Sequence, residues 1–309
     1  MKAVTLRSFS GPEAVVIADV DPPSTRPDDV LVSVEAAAIG PWDLKIVNGA
    51  FAALTRQLPL PQVLGWDFAG TVASVGANVT HFAEGDLVLG FSPQIFTGVG
   101  AFAEQVAVAA SFVAPRPPEL SPSQAATVPV CGLTAQKLID TADLQAGDRV
   151  LILGVAGAVG GFAAQLALDA NAHVSGTAST ADLDVVRARG IHPIDRKTDL
   201  ETLDEEPFDL VIDLVGAQAS QAAIPLVRAN GRLISAVPDN VPHPTKDDVE
   251  ISAIAVQANP AALARLCAAA ARGAIPLPKV GAEVALDQAR DAFIALEERK
   301  LRGKVLLLP

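Results

Sequence analysis

Tyrosine is absent from this sequence, and cysteine, histidine and positive charge are scarce. Each shortage removes a class of chemistry. Without tyrosine, no phenol serves as a proton donor. The two cysteines, Cys131 and Cys267, stand far apart, so neither a disulfide framework nor a paired-thiolate site is indicated. The four histidines, His81, His173, His192 and His243, occur singly. Zinc sites draw on clustered Cys and His, so no metal is expected. Basic residues number 23 against 35 acidic ones, a net charge of −12. That charge repels phosphate backbones and anionic lipid surfaces, which argues against nucleic-acid and membrane partners. The opening segment MKAVTLRSFSGPE lacks the apolar stretch of a secretion signal, and with so few cysteines the expected setting is the reducing cytoplasm.

Apolar material is plentiful. Half of the 309 residues are hydrophobic, enough for two cores at this length. The first third sets short apolar or alternating segments, at 3–6, 14–20, 30–36, 71–75, 87–91 and 105–109, among Gly and Pro clusters such as DPPSTRPDD. That pattern predicts a compact β-barrel. After the proline-rich APRPPELSPSQAA come helical stretches at 123–131 and 133–141. Strands at 150–153, 173–177, 210–213 and 232–236 then alternate with helical patterns at 159–170, 181–189 and 219–229. The alternation predicts a parallel sheet with helices on both faces. Helices at 260–272 and 288–299 and a strand KVLLL close the chain. The apolar run 150–168 imitates a membrane span, but its four glycines divide it into strand, turn and helix.

The strand at 150–153 ends in GVAGAVG, with Gly154, Gly157 and Gly160 spaced three and three. Glycines here permit a sharp strand-to-helix turn and let backbone N–H groups approach a pyrophosphate, which the helix N-terminus also favours. The plainer alternative is a tight strand–helix crossing in an alanine-rich core; the following βα units favour the nucleotide. NAD sites place Asp or Glu at the end of the second strand to hold the ribose 2′-OH. That strand here ends HVSGTAST, with no carboxylate before Asp182. Thr177, Ser179 and Thr180 offer hydroxyls, and Arg196 offers a charged fork for a 2′-phosphate, so the expected cofactor is NADPH. Capping of the next helix is the competing role for those hydroxyls.

Several motifs in order extend this reading: VLGWDFAGTVASVGANVTHFAEGDLVLG at 63–90, GAFAEQVAV at 100–108, AATVPVCGLTA at 125–135, AGDRVLILGVAGAVG, FDLVIDLVG at 208–216, NGRLISAV and GKVLLL at 303–308. With them the chain resembles, over nearly its whole length, the zinc-independent quinone oxidoreductases of the medium-chain dehydrogenase/reductase superfamily. The resemblance implies an α/β architecture: a GroES-like β-barrel catalytic domain at 1–120, completed by 256–309, and a Rossmann doubly wound parallel-sheet domain at 121–255. It implies that Gly157, Ala158 and Val159 lie under the pyrophosphate and that Ser179 and Arg196 lie near the adenosine phosphate. Val215, Ala236 and Val237 would line the nicotinamide. It also implies a homodimer, paired through an edge strand near 232–236 and the segment after it. Zinc-dependent relatives carry Cys in the segment matching IGPWD and Gly-His-Glu where this chain has Gly65-Trp66-Asp67, so Lewis-acid activation is not expected.

The implied activity is hydride transfer from NADPH to a quinone or α,β-unsaturated carbonyl, the small-molecule substrate. The alternatives are a biosynthetic enoyl reductase and a non-catalytic NADPH-binding redox sensor. The chain departs from its relatives at the substrate side. Gly40 stands where they usually carry Asn, and Phe51 lies near the place of a common Tyr. Those changes suggest a pocket roomier at Gly40 and more apolar at Phe51, where Trp42 and Phe51 form either a shelf for a planar substrate or core packing. Asp43, Lys45, Thr134 or water remain as proton donors, although a solvent-exposed helical pair is the simpler reading of Asp43 and Lys45.

Overall fold

The computed structural model describes residues 1–50, 52, 58–203 and 205–309. The chain forms two compact units, unit 1 from Met1–Val130 and Ala258–Pro309, and unit 2 from Cys131–Gln257. Strands are numbered along the chain. Unit 1 opens with β1 (Lys2–Leu6), β2 (Val15–Asp19), β3 (Asp29–Ile39), β4 (Gln62–Val63), β5 (Asp67–Val75), β6 (Leu87–Phe91), β7 (Gln105–Ala109) and β8 (Val113–Pro115). Unit 2 holds β9 (Arg149–Leu153), β10 (His173–Ala178), β11 (His192–Asp195), β12 (Phe208–Asp213), β13 (Val227–Ser235) and β14 (Glu250–Ala253). The last segment returns β15 (Val280–Ala285) and β16 (Lys304–Leu308) to unit 1.

In unit 1 a seven-stranded sheet runs β15-β16-β3-β5-β6-β8, with β7 also on β3, beside a small sheet β2-β1-β4. β3 organises the larger sheet. Val30, Val32 and Val34 are buried in alternation, while Leu31 and Ser33 face outward at intermediate exposure. Glu35 continues the outward set; past the register shift between Val34 and Ala36 the alternation stops, and from Ala36 to Ile39 every residue is buried. Ala38 sits opposite Asp67 on β5, and Ile39 sits opposite Val305 on β16. Phe68, Phe102 and Phe293 are among the largest fully buried side chains, with Phe102 set edge-on to Phe293 at 6.3 Å.

Unit 2 is a six-stranded parallel sheet in the order β11-β10-β9-β12-β13-β14. Strand order reverses between β9 and β12, which makes their carboxyl ends the switch point where such sheets bind ligands. Leu151, Leu153, Phe208, Val211, Ile224 and Leu233 form its core on one face. The apolar run at 150–168 resolves into β9, a turn and a helix at Ala158–Asp169. No helix among the described residues is long and apolar enough to cross a membrane.

Two sequence expectations are corrected here. The helix expected at 219–229 stops at Ala223, because Pro225 cannot donate the next backbone hydrogen bond, and the chain enters β13 at Val227. β13 is also not an edge strand; it is paired on both sides, and β14 ends the sheet instead.

Candidate active site

Three helices matter for the site: α1 (Pro41–Val47), α2 (Pro129–Ala142) and α3 (Ala158–Asp169). In unit 2 the chain turns from β9 into α3 within Gly154-Val155-Ala156-Gly157. Gly154 takes φ +85°, which disfavours a side chain. At Gly160 a Cβ would lie 2.4 Å from the Gly154 carbonyl oxygen and 2.7 Å from Val155 Cα, so only glycine lets α3 start this close to β9. Gly157 caps α3, whose first intrahelical bond runs from Gly161 N–H to the Gly157 carbonyl. The amides of Ala158, Val159 and Gly160 therefore have no acceptor inside the helix, and the helix dipole adds to their pull on an anion. This cradle of free amides fits the pyrophosphate of a dinucleotide.

Neighbouring side chains hold that edge in shape. Thr177 is buried and its Oγ1 accepts from Gly154 N–H at 3.0 Å. It braces the turn, a different role from the ribose-facing hydroxyl expected from sequence. Asp213, fully buried at the end of β12, accepts from the N–H groups of Val215 (3.0 Å) and Gly216 (2.7 Å) and from Ser235 Oγ (2.7 Å). Ser235 Oγ accepts in turn from Val237 N–H at 3.0 Å. One carboxylate thus fixes the segments carrying Val215, Ala236 and Val237, with Val215 left 53 % exposed. At the end of β10, Ser179 Oγ donates to Asp182 at 2.5 Å and Thr180 Oγ1 donates to Asp195 at 2.6 Å. The Thr180 hydroxyl and the Lys197 amide hold the Asp195 carboxyl below its usual range. Arg196 N–H bonds the Ala178 carbonyl at 2.8 Å, which anchors this exposed arginine beside Ser179.

In unit 1, strand register assembles a buried charged cluster. β16 places Lys304 next to the start of α1, and β5 begins at Asp67. Lys304 Nζ bonds Asp67 Oδ2 at 2.6 Å, and Asp67 Oδ1 accepts from Val130 N–H at 2.8 Å. Gly40 caps α1; Asp43, three residues on, reaches back to accept from the Gly40 N–H at 2.8 Å. Gln94 Nε2 approaches the other Asp43 oxygen at 3.4 Å. Asp43 is 2 % exposed. Burial pushes its carboxyl up to about 7; the Gly40 amide and Lys304 pull it down, while Asp67 pushes it further up.

This overturns the exposed-pair reading of Asp43 and Lys45. Asp43 points inward, and the Lys45 ammonium lies 4.9 Å from the centre of the Trp42 ring, whose side chain is half-buried. The room expected at Gly40 is also not empty, because a Cβ there would meet Lys304 Nζ at 3.2 Å. Thr134 lies buried on α2. Phe51 falls outside the described residues. Sequence reasoning missed Lys304, Asp67, Gln94 and Asp213. A carboxylate ending an apolar strand and a lysine opening one are the only local signals, and both read equally well as strand ends.

Residues 26–118 match the alcohol dehydrogenase GroES-like domain and residues 191–307 match the zinc-binding dehydrogenase family. The chain is 31 % identical to 2-methylene-furan-3-one reductase of Solanum lycopersicum, over all of this chain and 79 % of that protein. It is 30 % identical to the chloroplastic NADPH-dependent alkenal/one oxidoreductase of Arabidopsis thaliana, over all of this chain and 80 % of that one. The quinone oxidoreductase structure from Coxiella burnetii superposes with TM-score 0.90 at 29 % identity, covering all of this chain and 99 % of that one. Zinc, implied by one family name, does not suit the donor set. Among the described residues no three His, Cys, Asp or Glu side chains converge, and the Asp67 carboxylate is already committed to the Lys304 ammonium.

Proposed function

Because this chain belongs to the quinone oxidoreductase family of the medium-chain dehydrogenase/reductase superfamily, and is an oxidoreductase, we propose that it reduces quinones or α,β-unsaturated carbonyls with NADPH and without zinc. The observation that carries the reading is the tight turn from Gly154 to Gly160 at the β9–β12 switch point, which only glycine at 160 lets form. NADPH, when bound, supplies the hydride. The backbone at Gly154, Gly157, Ala158 and Val159 takes the pyrophosphate. Ser179 and Arg196 take the 2′-phosphate, and Val215, Ala236 and Val237 flank the nicotinamide. Gly40, Trp42 and Phe51 border the acceptor. Among Asp43, Lys45 and Thr134, Asp43 is the proton source, since its buried carboxyl keeps a proton to about pH 7. Scarce cysteine and acidic charge support a cytoplasmic setting, and β14 at the sheet edge supports a homodimer.

The test is NADPH oxidation by purified protein against quinones, enals, enones and simple aldehydes, with NADH in parallel and with and without chelator. Turnover that prefers NADPH and ignores chelator is expected. Turnover lost to chelator would remove the zinc-free reading, and tight NADPH binding with no turnover would favour a sensor.

A further inference from the structure

Trp66 is 8 % exposed, yet its indole Nε1–H has no hydrogen-bond partner among the described residues. Buried donors are almost always satisfied, so an orphan of this kind asks for an explanation. Packing fixes the ring without help from that N–H. The indole stacks on Phe91 at 6.2 Å and 25°, and Phe91 meets Phe112 edge-on at 5.1 Å. The Trp66 carbonyl accepts from Ser92 N–H at 2.8 Å. The next residue is Asp67, held by Lys304, so the Trp66 backbone stands beside the charged cluster that also packs against Gly40.

We propose that the Trp66 Nε1–H is the hydrogen-bond donor that holds the carbonyl oxygen of the acceptor. The inference rests on the reading of this chain as a reductase of quinones or enones. When hydride forms the new C–H bond, the π electrons of the acceptor move onto its oxygen. A neutral N–H in a water-poor site stabilises that charge while keeping its own proton. The enolate oxygen or its carbon then takes a proton from Asp43 or water, and the oxidised dinucleotide leaves. A preset donor that spends no free energy turning toward the oxygen explains why the fold tolerates the orphan.

Trp66→Phe keeps an aromatic six-membered ring near Phe91 and deletes the donor together with the pyrrole half of the indole. In the full-length protein kcat/KM for a cyclic enone is expected to fall about 10²-fold. NADPH affinity should be unchanged, which separates loss of the donor from loss of the fold; the thermal midpoint balances the removed orphan against the cavity left by the smaller ring. Unchanged kcat/KM in W66F, with wild type active, overturns the inference and leaves the functional reading standing. Emission of the wild-type protein comes from Trp42 and Trp66 alone, since the sequence has two tryptophans and no tyrosine. Titrating wild type with the enone, oxidised dinucleotide present, should give a saturable change in emission. A flat titration overturns the proposal even if W66F does not fold or wild type turns over no acceptor.

Discussion

Replacing Asp43 by Asn tests the buried cluster most directly. In the unfolded chain this carboxyl ionises near its usual 3.8, while in the folded unit it keeps its proton to about 7. Between those values the folded state binds more protons than the unfolded state, so stability falls as pH rises from about 4 to about 7 and levels off above. Three pH units at 1.36 kcal/mol each set an upper bound of roughly 4 kcal/mol on the loss. Asn imitates the protonated carboxyl, and its carbonyl still accepts from the Gly40 amide. The variant should match wild type near pH 4 and exceed it above about pH 7, by up to that amount. Urea denaturation followed by tryptophan emission reads the right part of the molecule, since Trp42 and Trp66 both belong to unit 1. The difference between variant and wild type at about pH 5 and about pH 8 cancels the other titrating groups. If that difference does not grow with pH, Asp43 is ionised in the fold and the argument from burial fails.

Three further outcomes follow from unit 2. Gly160→Ala drives a methyl into the Gly154 carbonyl and should weaken NADPH binding at least about 10-fold, with a loss of about 1–3 kcal/mol from the unit, read by fluorescence titration and thermal shift. Arg196→Gln removes a charged partner of the 2′-phosphate; NADPH should bind about 10- to 100-fold more weakly while NADH is unaffected, and equal losses for both would place Arg196 elsewhere. Asp213→Asn takes an oxygen from a carboxylate with three donors and should cost roughly 2–4 kcal/mol, measured by calorimetry, with KM for NADPH raised as the Val215 turn loosens.

Unit 2 is legible in sequence because its order is local. Each strand is a short apolar run closed by a turn, the next element follows within a few residues, and GVAGAVG marks the switch point by its glycines alone. The expectation fails at 219–229, where an alanine-rich stretch reads as helix until Pro225 is weighed, and at the sheet edge, which is β14 and not the strand near 232–236. Unit 1 hides its chemistry because partners are remote. Lys304 meets Asp67 across 237 positions. Asp43 sits on a helix of seven residues, too short for periodicity to say which face is inward. Nothing in Gly65-Trp66-Asp67 reveals which way an indole N–H points. Burial of these groups comes from the register of β16, β3 and β5, and register across distant strands is not written in any one segment.

Gly40 decides between a working site and a decayed one. Read as a lost asparagine, it is a vacancy, and Gly40→Asn would repair the enzyme. The structure gives it another meaning. Its backbone is extended, with φ −130°, so a side chain is not strained there. The obstacle is Lys304, whose Nζ would lie 3.2 Å from the new Cβ. A lysine tip moves readily, but moving it takes the Lys304 ammonium from Asp67, a carboxylate 1 % exposed. Glycine at 40 and lysine at 304 therefore belong together. Gly40→Asn should lose about 1–3 kcal/mol in urea denaturation, and acceptor turnover should fall with it. A variant with unchanged stability and raised NADPH oxidation would show that the cluster does not need the glycine, and that an asparagine had been the natural occupant of that space.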